Sequence, residues 1–259
     1  MDLIKKISIV SDLDGTVFLG KKPIKGTVKF IKRFSGEKEF FFFSNNTSMI
    51  PEDYIVRLNS FGIKTDRNHI IAPHIPLIKY LRKENINNIY LLATQKYTQF
   101  LKSEMLDLCI NDDIDNCQAV IVAYDTELTY VKLKNAALIL QKDNIKYLAT
   151  HCDKVCPTEN GPIPDAGSIL ALLDSATSRK PDIIFGKPNQ ELLSSVLSKY
   201  KSHEIVIVGD RLYTDKILAD NAGIDFILVL SGESTRLDAE KCESNPKLIV
   251  NDLGDLLDK

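Results

Sequence analysis

The chain has 259 residues, 44% of them hydrophobic and 26% charged, with 33 basic against 35 acidic side chains and a net charge of -2. That composition is rich enough in apolar residues to build a core, which excludes a disordered chain, and it offers no basic surplus for a general nucleic-acid binder. The longest unbroken apolar run, Ala119 to Tyr124, is far shorter than the about 20 residues of a membrane-spanning helix.

Lys5 and Lys6 are followed only by Ile7, Ile9 and Val10 before Asp12, too short an apolar stretch for a signal peptide. The five cysteines are scattered and odd in number, as expected of reduced thiols. A cytoplasmic protein with no membrane partner is the expectation.

In chain order, Ile7 to Leu13 is short, β-branched and predicts a strand. Ile24, Val28, Ile31 and Phe34 recur at helical spacing. Phe40 to Phe43 is apolar without alternation, as in a strand buried on both faces of a parallel sheet. Pro51 then opens a helix carrying Tyr54, Ile55, Leu58 and Phe61, with Gly62 as its stop. A middle region predicts strands at Ile89 to Ala93, Ala119 to Ala123 and Tyr147 to Thr150. It also predicts helices at Val131 to Gln141 and Ser168 to Ala176. Strand-like runs return at Ile183 to Phe185, Ile205 to Val208 and Phe226 to Leu230. Strands alternating with helices predict an α/β fold with a doubly wound parallel, Rossmann-like sheet. The change of character along the chain predicts a discontinuous core of residues 1–78 and 181–259 and a smaller inserted α/β domain of residues 79–180.

Function in such sheets sits beyond the carboxyl ends of the strands. Four apolar runs end in polar groups: Asp12-Leu13-Asp14-Gly15-Thr16, Ser44-Asn45-Asn46-Thr47-Ser48, Gly186-Lys187-Pro188-Asn189, and Gly209-Asp210 through Asp215. If the four strands are neighbours, these groups meet in one crevice. Asp12 and Asp210 would hold Mg²⁺ through oxygen, with waters and a substrate phosphate completing the shell. The ion and Lys187 would offset the charge of the phosphate, and Ser44 and Asn45 would hydrogen-bond its oxygens. Asp12 would then attack phosphorus to form an aspartyl-phosphate. Asp14, two residues on, would protonate the leaving oxygen and later deprotonate the hydrolytic water.

Taken together, the four segments resemble the haloacid dehalogenase (HAD)-like hydrolases. Asp12 to Thr16 matches that family's first motif, Ser44-Asn45-Asn46 its second, Lys187 its third, and Asp210 with Asp215 its fourth. Ser44-Asn45-Asn46-Thr47-Ser48, the roughly 100-residue insert and Ile227-Leu228-Val229-Leu230-Ser231-Gly232 are similar to the subgroup containing NagD and the p-nitrophenyl-phosphate and phosphoglycolate phosphatases. The resemblance implies that Asp12 is nucleophile and metal ligand. Asp14 would be the acid/base and would give its backbone carbonyl to Mg²⁺, with Asp210 the second carboxylate ligand. Ser44, Asn45 and Asn46 would hold the phosphate, Lys187 would neutralise it, and Asp215 would orient ligands or pair with Lys187. Dehalogenases of the superfamily lack the second acid, so Asp14 favours phosphoryl transfer: an alkoxide leaving group needs a proton and a halide does not.

The insert would be a cap that excludes water and reads the leaving group. Departures from the family pattern gather there, with His151, Cys152 and Asp165 in place of Asn, Pro and Gly. Zinc at His151-Cys152-x-x-x-Cys156 would need further ligands that the nearby sequence lacks, and a plain loop is the simpler account. The expected function is a Mg²⁺-dependent phosphatase acting on a small phosphomonoester such as a sugar phosphate or nucleotide. The alternatives are a phosphotransferase with the same phosphoenzyme and a non-catalytic phospholigand-binding protein. A monomer or a cap-mediated homodimer fits the resemblance.

Overall fold

The structure is a computed structural model that describes residues 6–111, 115–158, 160–242 and 244–257. The chain begins with β1 (Ser8–Asp12), a short hairpin of β2 (Phe18–Leu19) and β3 (Lys22–Pro23), α1 (Lys25–Phe34), β4 (Glu39–Phe43), α2 (Pro51–Ser60) and β5 (Ile70–Ile71). It continues through α3 (His74–Lys83), β6 (Asn88–Leu92), α4 (Gln95–Glu104), β7 (Cys109–Ile110), β8 (Ala119–Val122), α5 (Tyr130–Leu140) and β9 (Lys146–Ala149). Next come the hairpin β10 (Val155–Thr158) and β11 (Gly161–Pro164), α6 (Ala166–Thr177) and β12 (Ile183–Ile184). The last stretch holds α7 (Ser194–Leu197), β13 (Ile205–Gly209), α8 (Ile217–Ala222), β14 (Asp225–Val229), α9 (Arg236–Glu240) and β15 (Leu248–Val250).

Two parallel sheets result. The larger has six strands in the order β15-β14-β13-β1-β4-β5, the smaller five in the order β12-β9-β8-β6-β7. The four consecutive phenylalanines show why the larger sheet is buried on both faces. Side chains alternate across a strand. Phe40 and Phe42 therefore join Phe30, Tyr54 and Leu58 on one face, while Phe41 and Phe43 join Leu193, Val196 and Leu218 on the other. Phe42 is 1% exposed, and truncating such a residue to Ala costs about 3–5 kcal/mol. Helix α2 starts as expected, with Pro51 in its first turn and Asp53 Oδ2 accepting from the Ile50 N–H at 3.1 Å.

The partition between the sheets differs from the sequence reading at both crossings. A boundary at 78/79 cuts through α3, whose Leu77, Ile78 and Leu81 pack with Tyr97, Leu101 and Ile121 of the smaller sheet's core. Residues 181–185 were expected in the larger sheet, yet β12 pairs with β9 in the smaller one (Ile183 with Leu148, Ile184 with Ala149), and Phe185 lies in the same apolar cluster as Leu77. The apolar pattern marks Ile183-Ile184 as strand but carries no signal for which sheet supplies its partner.

Parallel register brings the carboxyl ends of the larger sheet level with one another, since Asp12 is opposite Phe43 and Ser11 is opposite Val208. The smaller sheet points its own carboxyl ends at them. Thr150, just past β9, reaches Thr47 (Oγ1 to Oγ1 3.5 Å), and the Tyr124 N–H beyond β8 donates to Thr47 Oγ1 at 2.9 Å.

Candidate active site

Asp12 is the last residue of β1 and is 4% exposed. Lys187 Nζ lies 2.5 Å from Asp12 Oδ1 and 2.8 Å from Asp215 Oδ1, and sits over the Phe43 ring at 4.1 Å. Burial works against the Lys187 charge, but Asp12, Asp215 and Asp153 outweigh it and hold the ammonium firmly protonated. Asp210 follows β13 and is 1% exposed; its Oδ2 accepts the Glu233 N–H at 2.7 Å. Gly15 turns the chain away from Asp12 at φ +89, and a Cβ there would stand 2.5 Å from Asp210 Oδ2. Only glycine satisfies both the left-handed backbone and the close approach.

Carboxylate oxygens of Asp12, Asp210 and Asp215 fall within 4.8 Å of one another. Three buried acids around one ammonium are undercompensated. Burial raises the Asp12 pKa well above the carboxylate range, with Lys187 opposing and Asp215 and Asp210 adding to the rise. Burial, then Asp215, pushes Asp210 up to about 7. Asp210 Oδ1 is buried without a hydrogen-bond partner. An all-oxygen donor set with an orphaned carboxylate oxygen fits a hard cation such as Mg²⁺.

Asp14 is half-buried, and its Oδ2 is sealed from solvent with no partner. Burial lifts its pKa against the pull of Arg57, Arg211 and Lys187. Asp12, Asp14, Ser44 to Asn46 and Lys187 line one cavity with Asp153, Cys156, Pro157, Asp165 and Arg211, and about 20 Å³ of space is left between them. That is room for about one water. The larger groove of about 610 Å³ lined by Lys32, Lys64 and His69 lies away from the strand ends.

The segment after β4, expected to hold the phosphate with side chains and backbone amides, has two of its three side chains engaged within the protein. Asn45 Oδ1 accepts the Lys187 N–H at 2.8 Å, and its Nδ2 donates to Asp153 Oδ1 at 3.2 Å. That amide is committed to holding the lysine backbone and the cap. Asn46 Oδ1 turns back to the Ser48 N–H at 3.0 Å. Ser44 Oγ accepts the Asn46 N–H at 3.1 Å and touches the Tyr54 hydroxyl at 2.9 Å, while Tyr54 donates to the Asn46 carbonyl at 2.8 Å. Of the three, Ser44 keeps a hydroxyl proton that can be redirected to a phosphate oxygen.

Sequence reasoning missed three participants. Tyr54 reads as one more apolar position of α2, and nothing in the helical spacing marks its hydroxyl. Arg211 directly follows Asp210 and was passed over; its Nη1 donates to Asp153 Oδ2 of the cap at 2.7 Å. Asp153 therefore binds Asn45 and Arg211 at once. The His151-Cys152-x-x-x-Cys156 stretch holds no Cys-based metal cluster among the described residues. His151 is fully buried, with Nδ1 on Thr150 Oγ1 and Nε2 on Asp165 Oδ1, each at 2.9 Å.

Residues 9–106 match the profile of haloacid dehalogenase-like hydrolases, and residues 184–256 that of HAD-hydrolase-like proteins. The chain is similar to the 4-nitrophenylphosphatase of Thermotoga maritima, with 35% identity, a TM-score of 0.89, and 99% of this chain and 98% of that one covered. It is 26% identical to the acid sugar phosphatase of Staphylococcus saprophyticus over 95% of both chains. A glycerol phosphate phosphatase of Mycobacterium tuberculosis, solved in complex with magnesium, aligns at 26% identity and TM-score 0.84 over 97% of this chain and 76% of that one.

Proposed function

This chain belongs to the haloacid dehalogenase-like hydrolases, in the subgroup of NagD and the p-nitrophenyl phosphatases, and from that premise we propose how its residues divide the work. It is a Mg²⁺-dependent phosphatase of small phosphomonoesters. Asp12 is the nucleophile that takes the phosphoryl group. Lys187, paired with Asp12 and Asp215, offsets the charge of the incoming phosphate. Ser44, steadied by Tyr54, donates to a phosphate oxygen. Asp14, whose pKa burial raises, protonates the leaving oxygen and then takes a proton from the attacking water. Asp12, the Asp14 backbone carbonyl and Asp210 would hold Mg²⁺, whose charge screens the phosphate from the carboxylates. Asp215 fixes Lys187 and accepts the Arg211 N–H at 3.1 Å.

One observation carries this reading: Asp12 and Asp14 share with Lys187, 175 positions from Asp12, one cavity that leaves room for about one water. A purely ligand-binding protein has no use for the unpartnered acid of Asp14 beside Asp12.

Substrates extend to sugar phosphates and nucleotides, the class in which the acid sugar phosphatase and the 5'-nucleotidase YutF of Bacillus subtilis are named. No helix among the described residues is long and apolar enough to cross a membrane. We read the protein as cytoplasmic, without a nucleic-acid partner. It acts as a monomer or as a homodimer through the cap, whose α5 exposes Tyr130, Val131 and Leu138.

The test is turnover of p-nitrophenyl phosphate by the Mg²⁺-loaded protein. EDTA and Asp12→Asn should each abolish it, and mass spectrometry of a quenched reaction should find the added phosphoryl group on Asp12. Undiminished turnover by Asp12→Asn would sink the assignment.

A further inference from the structure

Asp165 enters the same cavity from the cap. It precedes α6 and caps it, Oδ1 accepting the Ala166 N–H at 2.6 Å as well as His151 Nε2 at 2.9 Å. Both of these bonds use Oδ1. Among the described residues no hydrogen bond occupies Oδ2, although the residue is only 3% exposed. The buried His151, itself tied to Thr150 Oγ1 at 2.9 Å, fixes the carboxylate in place.

The cations around the cavity are already committed. Lys187 is shared by Asp12 and Asp215, and Arg211 pairs with Asp153 at 2.7 Å and with Glu233 at 3.0 Å. Among the described residues lining the cavity there is no further cation. A second anionic group on a substrate would therefore meet the Asp165 carboxylate with no free cation to neutralise it. A hydroxyl or ammonium group would meet a free carboxylate oxygen.

We propose that Asp165 is a specificity-determining residue. It selects phosphomonoesters whose alcohol carries a hydrogen-bond donor close to the ester oxygen, a polyol or an amino alcohol, and rejects those whose alcohol carries a carboxylate. The proposal rests on the reading that Asp14 protonates the leaving oxygen, because that places the alcohol beside Asp14 and Asp165.

The experiment compares kcat/KM of the Mg²⁺-loaded enzyme on glycerol 3-phosphate, phosphoethanolamine and phosphoglycolate, with p-nitrophenyl phosphate as reference. The first two should exceed phosphoglycolate by about thirtyfold or more, since facing like charges is strongly unfavourable in a desolvated site. Asp165→Asn keeps an Oδ1 acceptor for the helix cap and for His151 but removes the charge. The preference should then fall about tenfold, mainly through KM. If that variant fails to fold, Asp165→Ser, another helix-capping residue, takes its place. Equal kcat/KM on glycerol 3-phosphate and phosphoglycolate in the wild type, or a ratio unmoved by both substitutions, overturns the proposal. The p-nitrophenyl ester has neither a donor nor an anionic group. Its turnover without discrimination among the other three would remove only this proposal, whereas no turnover of any of them would remove the phosphatase reading itself.

Discussion

Arg211 and Asp153, 58 positions apart, meet at 2.7 Å between the larger sheet and the cap, at 7% and 2% exposure. Breaking a buried ion pair from one side leaves an uncompensated charge, which costs about 3–5 kcal/mol. Glu233 remains beside Arg211, so Asp153→Ala should fall at the low end of that range in urea denaturation. Arg211→Met added to Asp153→Ala should recover part of the loss. A double variant less stable than either single one would show that the two residues do not act as a pair.

The hydroxyl of Tyr54 has one proton and two neighbours, Ser44 Oγ and the Asn46 carbonyl. The carbonyl only accepts, so Tyr54 donates there and accepts from Ser44; once the Ser44 proton turns to a phosphate oxygen, the Tyr54 proton can turn to Ser44 Oγ and hold it in place. Tyr54→Phe should cost about 1 kcal/mol in stability. It should also lower kcat/KM about tenfold, because Ser44 then loses the partner that orients it. In a Ser44→Ala background the same substitution should leave kcat/KM nearly unchanged, a coupling that a double-mutant cycle reads directly.

Burial raises the pKa of Asp14, so the protonated form needed by a poor leaving group persists to higher pH than for an ordinary carboxyl. Hydrolysis of an alkyl phosphate should decline as pH rises through that raised value. The p-nitrophenyl ester, whose leaving group needs no proton, should decline less. Asp14→Asn should accordingly cut kcat/KM for an alkyl phosphate by about 10²–10⁴-fold and for an aryl phosphate by much less, kcat/KM reporting phosphoenzyme formation and not the shared hydrolysis step that also loses its base. Equal losses on the two esters would count against the acid role.

Asp210 titrates near 7 in the metal-free fold against 3.8 for an ordinary Asp. The fold therefore favours its protonated form. That contribution is fully present below about pH 4 and is lost as pH climbs toward 7. Thermal melts of EDTA-treated protein should show Tm falling by several degrees between pH 5 and pH 8. Mg²⁺ should raise Tm more at pH 8 than at pH 5, because it binds the ionised carboxylates. Asp210→Asn should flatten the pH dependence and remove most of the Mg²⁺ effect.

Much of the catalytic end could be read in the sequence because each buried strand must stop where its apolar run stops. Ser44 follows such a run directly and Asp12 and Asp210 one residue later, and parallel pairing brings the strand ends level. The hairpin β10–β11 was invisible for the opposite reason. Pro157, Pro162 and Pro164 interrupt any alternating pattern, and such residues suit an isolated two-stranded edge. Lys187 was found, but its strand was placed in the wrong sheet, since apolar spacing does not name a strand's neighbour. The Asn45 side-chain amide holds the Lys187 backbone and Asp153. Asn and Ser in a loop indicate hydrogen bonds, and only the fold reveals to whom.

The position of β12 has a mechanical consequence. Phe185 is anchored in the cap's apolar cluster, and Gly186 is wedged so tightly that a Cβ would approach Asn45 Oδ1 and the Thr150 carbonyl within 2.6 Å. Lys187 is the next residue, and its ammonium already rests on Asp12. The return strand from the cap and the charged group that meets the phosphate are thus joined by a single glycine. Lengthening this joint by even one residue should pull the ammonium off Asp12 while leaving both sheets intact.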